Sequence, residues 1–121
     1  MTNRRKYDKF NFVDIKQREF VRRYTDTVRV RQSYLLHKGK ILEFVIQLEI
    51  YIKNKWFAVV RYDTAHGYPH RDYLHPDGRV DKTPLFCSTY NEALTFAEED
   101  IKNNWELYKE YFIKEVSENE N

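Results

Sequence analysis

The sequence predicts an α+β fold, in which an antiparallel meander sheet of four to five strands follows a short N-terminal helix and carries a long C-terminal helix packed on one face. Two patterns carry that prediction. Between positions 28 and 63 apolar side chains return every second residue, the period of strands with one buried face. Further on, Leu94, Ala97, Ile101, Trp105, Tyr108 and Phe112 return at steps of three and four, the period of a helix with one apolar stripe. The 121 residues are 41% hydrophobic, with ten Tyr, eight Phe and two Trp. That is enough for one domain with one core and leaves little for a second.

Taken in order, residues 1–12 are basic, polar and aperiodic, and are expected to form a flexible arm. They contain no apolar h-region, so no secretory leader is expected. Asp14 followed by Gln17 matches a capping box, with Ile15, Phe20, Val21 and Tyr24 as an apolar stripe, and this predicts a helix over about 15–24. Val28, Val30, Tyr34 and Leu36, then Leu42, Phe44, Ile46, Leu48, Ile50 and Ile52, predict a hairpin across Gly39. Trp56, Ala58, Val60 and Tyr62 predict a third strand beyond a turn at Lys53-Asn54-Lys55. Register follows from burial, because a slip of one residue would turn every side chain to the opposite face. Even-numbered residues of all three strands are therefore expected to share the core. Odd-numbered residues then share a polar face holding Arg29, Arg31, Glu43, Gln47, Glu49, Arg61 and Asp63, with Tyr51, Phe57 and Val59 among them. A fourth strand over 70–75 and a short fifth over about 79–82 flank the turn Pro76-Asp77-Gly78. Thr89 with Glu92 is a second capping box and opens a helix over about 90–115. The domain is thus expected at 13–116, followed by a disordered tail at 117–121.

Composition excludes several classes. No apolar run is long enough to span a membrane as a helix, and Cys87 stands alone, which rules out an internal disulfide and a multi-cysteine zinc site. A cytoplasmic protein is expected. There is no Gly-rich phosphate loop, dinucleotide fingerprint or nucleophilic serine elbow, and the apolar neighbours Leu85 and Phe86 make Cys87 a weak nucleophile. The first forty residues carry twelve Lys or Arg against four Asp or Glu, and the last thirty reverse the balance with nine against three. A basic half attracts phosphate, unless the two halves simply pair with each other.

Chemistry concentrates in residues 61–78, which hold three of the four histidines, two of the three glycines and two of the three prolines. Antiparallel pairing across the short loop at 64–69 would set Asp63 beside His70. The candidate catalytic group is Arg61, Asp63, His66, His70, Arg71 and Asp72. Imidazoles near neutral pH can take a proton from a nucleophilic hydroxyl and return one to a leaving oxygen. Carboxylates orient them, and guanidinium groups stabilise phosphorane charge. Arg29, Arg31, Tyr68, Tyr73 and Lys82 are the candidate nucleic-acid-binding residues, the tyrosines by stacking on bases. No cofactor is expected. Were a metal bound, its ligands would come from Asp63, His66, His70, Asp72 and His75, although Gly67 and Pro69 preclude the one-face helical histidine pair of zinc hydrolases. The plainer alternative makes the acids and imidazoles turn formers bonded to their own backbone, and the polar face a lattice of ion pairs.

Arg61-Tyr62-Asp63-Thr64-Ala65-His66, followed by His70-Arg71-Asp72, resembles a family of small prokaryotic proteins over about 20–105. Over residues 61–75 it more distantly resembles the TumE-type toxins of bacterial toxin–antitoxin pairs. The second resemblance implies RNA as the target and a cognate antitoxin-like partner encoded alongside. The reading that combines these features is a toxin-like, RNA-directed phosphodiesterase. Its alternatives are a non-catalytic interaction module, compatible with a homodimer, and a metal-binding protein.

Overall fold

The computed structural model describes residues 14–120, so the basic arm expected at 1–12 lies outside the described residues. Six strands form one antiparallel sheet in sequence order: β1 (Ile15–Thr25), β2 (Val28–His37), β3 (Lys40–Ile52), β4 (Lys55–Asp63), β5 (His70–Leu74) and β6 (Val80–Pro84). One helix, α1 (Tyr90–Asn119), follows them. None of this is a helix both long and apolar enough to cross a membrane.

Strand β1 is the segment expected as an N-terminal helix. Residues 15–24 pair along nearly their whole length with β2, from Ile15 opposite His37 to Arg23 opposite Arg29. Their apolar residues are too few to bury a helix face, whereas β2 offers a full ladder of backbone partners. Tertiary pairing therefore overrides the local helical signal. Thr25-Asp26-Thr27 does interrupt the chain as expected, but as the turn of a hairpin, where the Thr25 hydroxyl accepts from the Thr27 amide at 3.1 Å.

The even-numbered register holds from Val28 to Tyr34 of β2 and from Phe44 to Ile52 of β3, but Leu35 pairs with Glu43 and Leu36 with Ile41, so Leu42 is an extra residue and Ile41, not Leu42 as expected, packs against the core. Val28, Val30, Phe44, Ile46, Leu48 and Ile50 are buried in one cluster with Leu94, Ala97, Ile101 and Phe112 of α1. In β4 the register holds only for Val60 and Tyr62. Leu48 pairs with Val60 but Glu49 pairs with Ala58, so Val59 is an extra residue in a β-bulge. Beyond it the alternation inverts. Phe57, opposite Ile50, turns to the helix and meets the Phe112 ring at 5.7 Å. Trp56, expected in the core, pairs with Tyr51 and joins the polar face, their rings 5.2 Å apart.

Helix α1 begins where the capping box predicts. The Thr89 hydroxyl accepts from the Glu92 amide at 3.1 Å, and the Glu92 carboxylate accepts from the Ser88 amide at 3.2 Å. It runs four residues past the expected end, to Asn119, and Glu120 just beyond it pairs with Lys53 of the β3–β4 turn. The helix is fastened to the sheet by polar contacts as well as by the core. Asp100 accepts hydrogen bonds from the hydroxyls of both Tyr62 and Tyr108, each at 2.6 Å. Burial and the Asp100 carboxylate push the Tyr108 hydroxyl up to about 12 and hold that of Tyr62 higher still. Both therefore remain donors throughout the physiological range. Trp105 is half-buried and stacks on Tyr24 of β1 at 5.6 Å, which ties the edge strand to the helix.

Phe112 is 1% exposed and Trp105 only half-buried, so Phe112→Ala should lose about 3–5 kcal/mol of stability and Trp105→Ala clearly less. Urea denaturation midpoints of the two variants beside the wild type measure the difference.

Candidate functional site

On the sheet face opposite α1, side chains of β2 to β6 form a continuous polar array. Glu49 is its pivot at 6% exposure. It accepts from Arg29 Nε at 2.6 Å, from Arg31 Nε at 3.2 Å and from Gln47 Nε2 at 2.6 Å. Gln47 Oε1 in turn accepts from Arg61 Nε at 2.7 Å. The order follows from the pairing, since Arg29 lies opposite Glu49 and Gln47 opposite both Arg31 and Arg61. The arginines thus meet their partners across the ladder and Gln47 meets Glu49 along β3, all without leaving the face.

The array ends in a cluster built on β4 and β5. Asp63 lies opposite His70 and Arg61 opposite Asp72, so alternation brings Asp63, His70 and Asp72 to one spot, as the sequence suggested for the first two. His70 is 1% exposed, with its Nε2 at 3.0 Å from Asp63 Oδ1 and 3.7 Å from Asp72 Oδ1. Its Nδ1 lies 3.4 Å from the Tyr68 carbonyl oxygen. Lys82 of β6, opposite Asp72, donates to Asp72 Oδ1 at 3.0 Å. Asp63 has a second duty, because Oδ1 also accepts from the Ala65 amide at 3.0 Å and so starts the turn at 64–67. Gly67 closes that turn with φ +83°, a left-handed conformation that residues with a Cβ rarely adopt. The turn places His66 over the cluster, exposed to solvent, with its ring stacked on that of His70 at 5.6 Å. Tyr68 is 43% exposed beside both imidazoles.

The same alternation removes three expected members. Arg71 and Tyr73 lie between the residues of the cluster and face α1 instead: Arg71 donates to the Tyr108 hydroxyl at 3.4 Å, and Tyr73 donates to Glu115 at 3.1 Å. His75, which begins the β5–β6 turn, is held away from the cluster by Glu115 of α1 at Nδ1 and Asp81 at Nε2, each at 2.7 Å. Of the five residues considered as metal ligands, Asp63, His70 and Asp72 bring their ligand atoms within 4.8 Å of one another. Trp56 is a member the sequence concealed. It lies on this face with the Arg29 guanidinium 3.8 Å from its ring centroid and that of Arg23 at 5.7 Å. Only the bulge at Val59 brings it there, and a bulge of this kind leaves no mark in the alternation of apolar residues. Two shallow cavities of about 230 and 360 Å³ share Ser33 and Val45 and form a groove over this face, from Arg31 and Gln47 to Asp63 and Ala65.

His75 hydrogen-bonds a carboxylate through each ring nitrogen, an arrangement that suits the imidazolium. Asp81 first and Glu115 next raise its affinity for a proton above the ordinary value of about 6.5. A folded-state pKa above the unfolded one stabilises the fold fully below about pH 6.5, and that stability is lost as pH rises through the folded value. Thermal melts at steps from pH 6 to 9 should show this loss in the wild type and a flatter profile in His75→Ala.

Against protein-family models, residues 15–118 match the domain of unknown function DUF7718. No curated protein matches the chain, and no solved structure matches it.

Proposed function

The chain belongs to the DUF7718 family, a domain of unknown function, and from the geometry of its open sheet face we propose that it is a toxin-like, RNA-directed phosphodiesterase. The observation that carries the reading is an exposed imidazole, His66, stacked on a buried one, His70, that two carboxylates hold in place at the end of a row of arginines. In this reading His66 exchanges protons with the reacting hydroxyl and the leaving oxygen, the two roles of general acid–base catalysis. Asp63 and Asp72 fix His70, and His70 supports the ring above it. Arg61 and, further along the sheet face, Arg31 and Arg29 hold phosphates, while Tyr68 and Trp56 offer aromatic faces to unpaired bases. Trp56 lies seven residues from Asp63 along β4, a span of roughly 20 Å, which suits a single strand of several nucleotides. The distant resemblance of residues 61–75 to toxins supports RNA as the substrate and an antitoxin-like protein as the partner.

A second reading draws on the ion pairs themselves. Glu49 already occupies both Arg29 and Arg31, and the central imidazole and its carboxylates are buried, as befits a rigid surface for protein recognition. Cleavage of labelled single-stranded RNA separates the two. The phosphodiesterase reading expects activity that falls by about 10²-fold or more in His66→Ala with the fold intact, and a smaller loss in Arg61→Ala. Wild type without activity on RNA, or His66→Ala with full activity, would leave the protein-binding surface as the better account.

A further inference from the structure

We propose that Asp63, His70 and Asp72 form a binding site for a divalent first-row cation, manganese or zinc, at the end of the open sheet face. Three independent features of the cluster converge on this. The first is geometric. Metal–ligand distances near 2.1 Å place neighbouring donor atoms about 3.0–3.4 Å apart. Here Nε2 of His70 lies 3.0 and 3.7 Å from the two carboxylate oxygens, and all three ligand atoms fall within 4.8 Å of one another. Small side-chain rotations would complete the set, and imidazole with carboxylate is the donor combination these ions accept.

The second feature is the far side of the ring. Nδ1 faces the Tyr68 carbonyl, the kind of outer partner that holds a ligating histidine with its proton on Nδ1 and its lone pair on Nε2. With the proton on Nδ1, a bare Nε2 lone pair would point at two carboxylate oxygens, a repulsion that either a ring proton or a bound cation at Nε2 relieves, so ion and proton compete for one place.

The third feature is charge balance. Asp63 and Asp72 are 8% and 6% exposed, and a carboxylate withdrawn from water to that degree needs compensation. Lys82 supplies one positive charge at Asp72, from a side chain that is 39% exposed and free to withdraw along the edge strand β6. With Lys82 in place one negative charge remains at the centre of the cluster; with Lys82 withdrawn there are two, which a dication balances. Lys82 is then a competitor of the ion. That gives the site a signature which an adventitious surface site of acidic residues would lack.

Use of such an ion on a phosphodiester rests on the reading given above; the binding of the ion does not. The experiment uses the full chain, stripped with chelator and titrated with Mn²⁺ by electron paramagnetic resonance and with Zn²⁺ by calorimetry, without RNA. The expected result is one ion per chain, weakened more than about tenfold in Asp63→Asn and in Asp72→Asn. Lys82→Met should bind roughly threefold to tenfold more tightly, since an ammonium next to a ligand opposes a second cation. Circular dichroism checks the fold of each variant, and should an Asn variant unfold, the Lys82→Met comparison decides alone. Absence of stoichiometric binding, binding unchanged in a folded Asp→Asn variant, or Lys82→Met no tighter than wild type would overturn the proposal. RNA cleavage that persists in chelator would remove the ion from the reaction and leave the enzymatic reading standing. Tight binding without cleavage would do the reverse.

Discussion

Val59 is the one residue of β4 that finds no place in the ladder with β3, and the division of the sheet into two working faces depends on it. On the Asp63 side of the bulge, odd residues face away from the helix, so Arg61 and Asp63 reach the polar array while Val60 and Tyr62 enter the core. On the Lys55 side the assignment is exchanged, so Phe57 seals the core against Phe112 and Trp56 stands beside Arg29. A regular strand would have put Trp56 beneath the helix and Phe57 among the charges. The bulge therefore gives one strand a large apolar contact at each end of the helix's footprint, while both of its cationic neighbourhoods remain on the open side.

The open face is cross-braced by ion pairs and hydrogen bonds. Glu49 gathers Arg29, Arg31 and Gln47 around a buried carboxylate, and Gln47 passes the constraint to Arg61. Guanidinium groups braced in this way would lose little further freedom on meeting a ligand, the condition under which polar groups bind with the least entropic cost. At the other end of the array Asp63 serves two structures at once. It orients His70, and it nucleates the turn that lifts His66 above the sheet. The turn and the placing of His66 over His70 thus depend on the same carboxylate.

What was legible in the sequence follows the strength of the signals. The meander from Val28 to Asp63, the C-terminal helix with its Thr89 cap, and the pairing of Asp63 with His70 all rested on alternation, a capping box or loop length, and each stands in the structure. The segment at 15–24 was misread because four apolar residues fit a helical stripe as well as an edge strand, and only the ladder on β2 distinguishes them. Within the candidate site the residue types at 61–75 marked the place. The membership was harder, since alternation divides 70 and 72 from 71 and 73 and only the helix shows which pair it claims. Trp56 was beyond reach for the reason already given: one inserted residue changes the face without changing the pattern.

Among the described residues every strand precedes the helix in the chain, and the helix packs on the face that carries Phe44, Ile46, Leu48 and Ile50. During synthesis the meander can zip from neighbour to neighbour as each strand emerges, but its greasy side has no lid until Phe112 has left the ribosome. For that interval the nascent chain is a sheet with one wet side and one sticky side, and with the open edges of β1 and β6. It is a species prone to join its own kind and suited to capture by a chaperone.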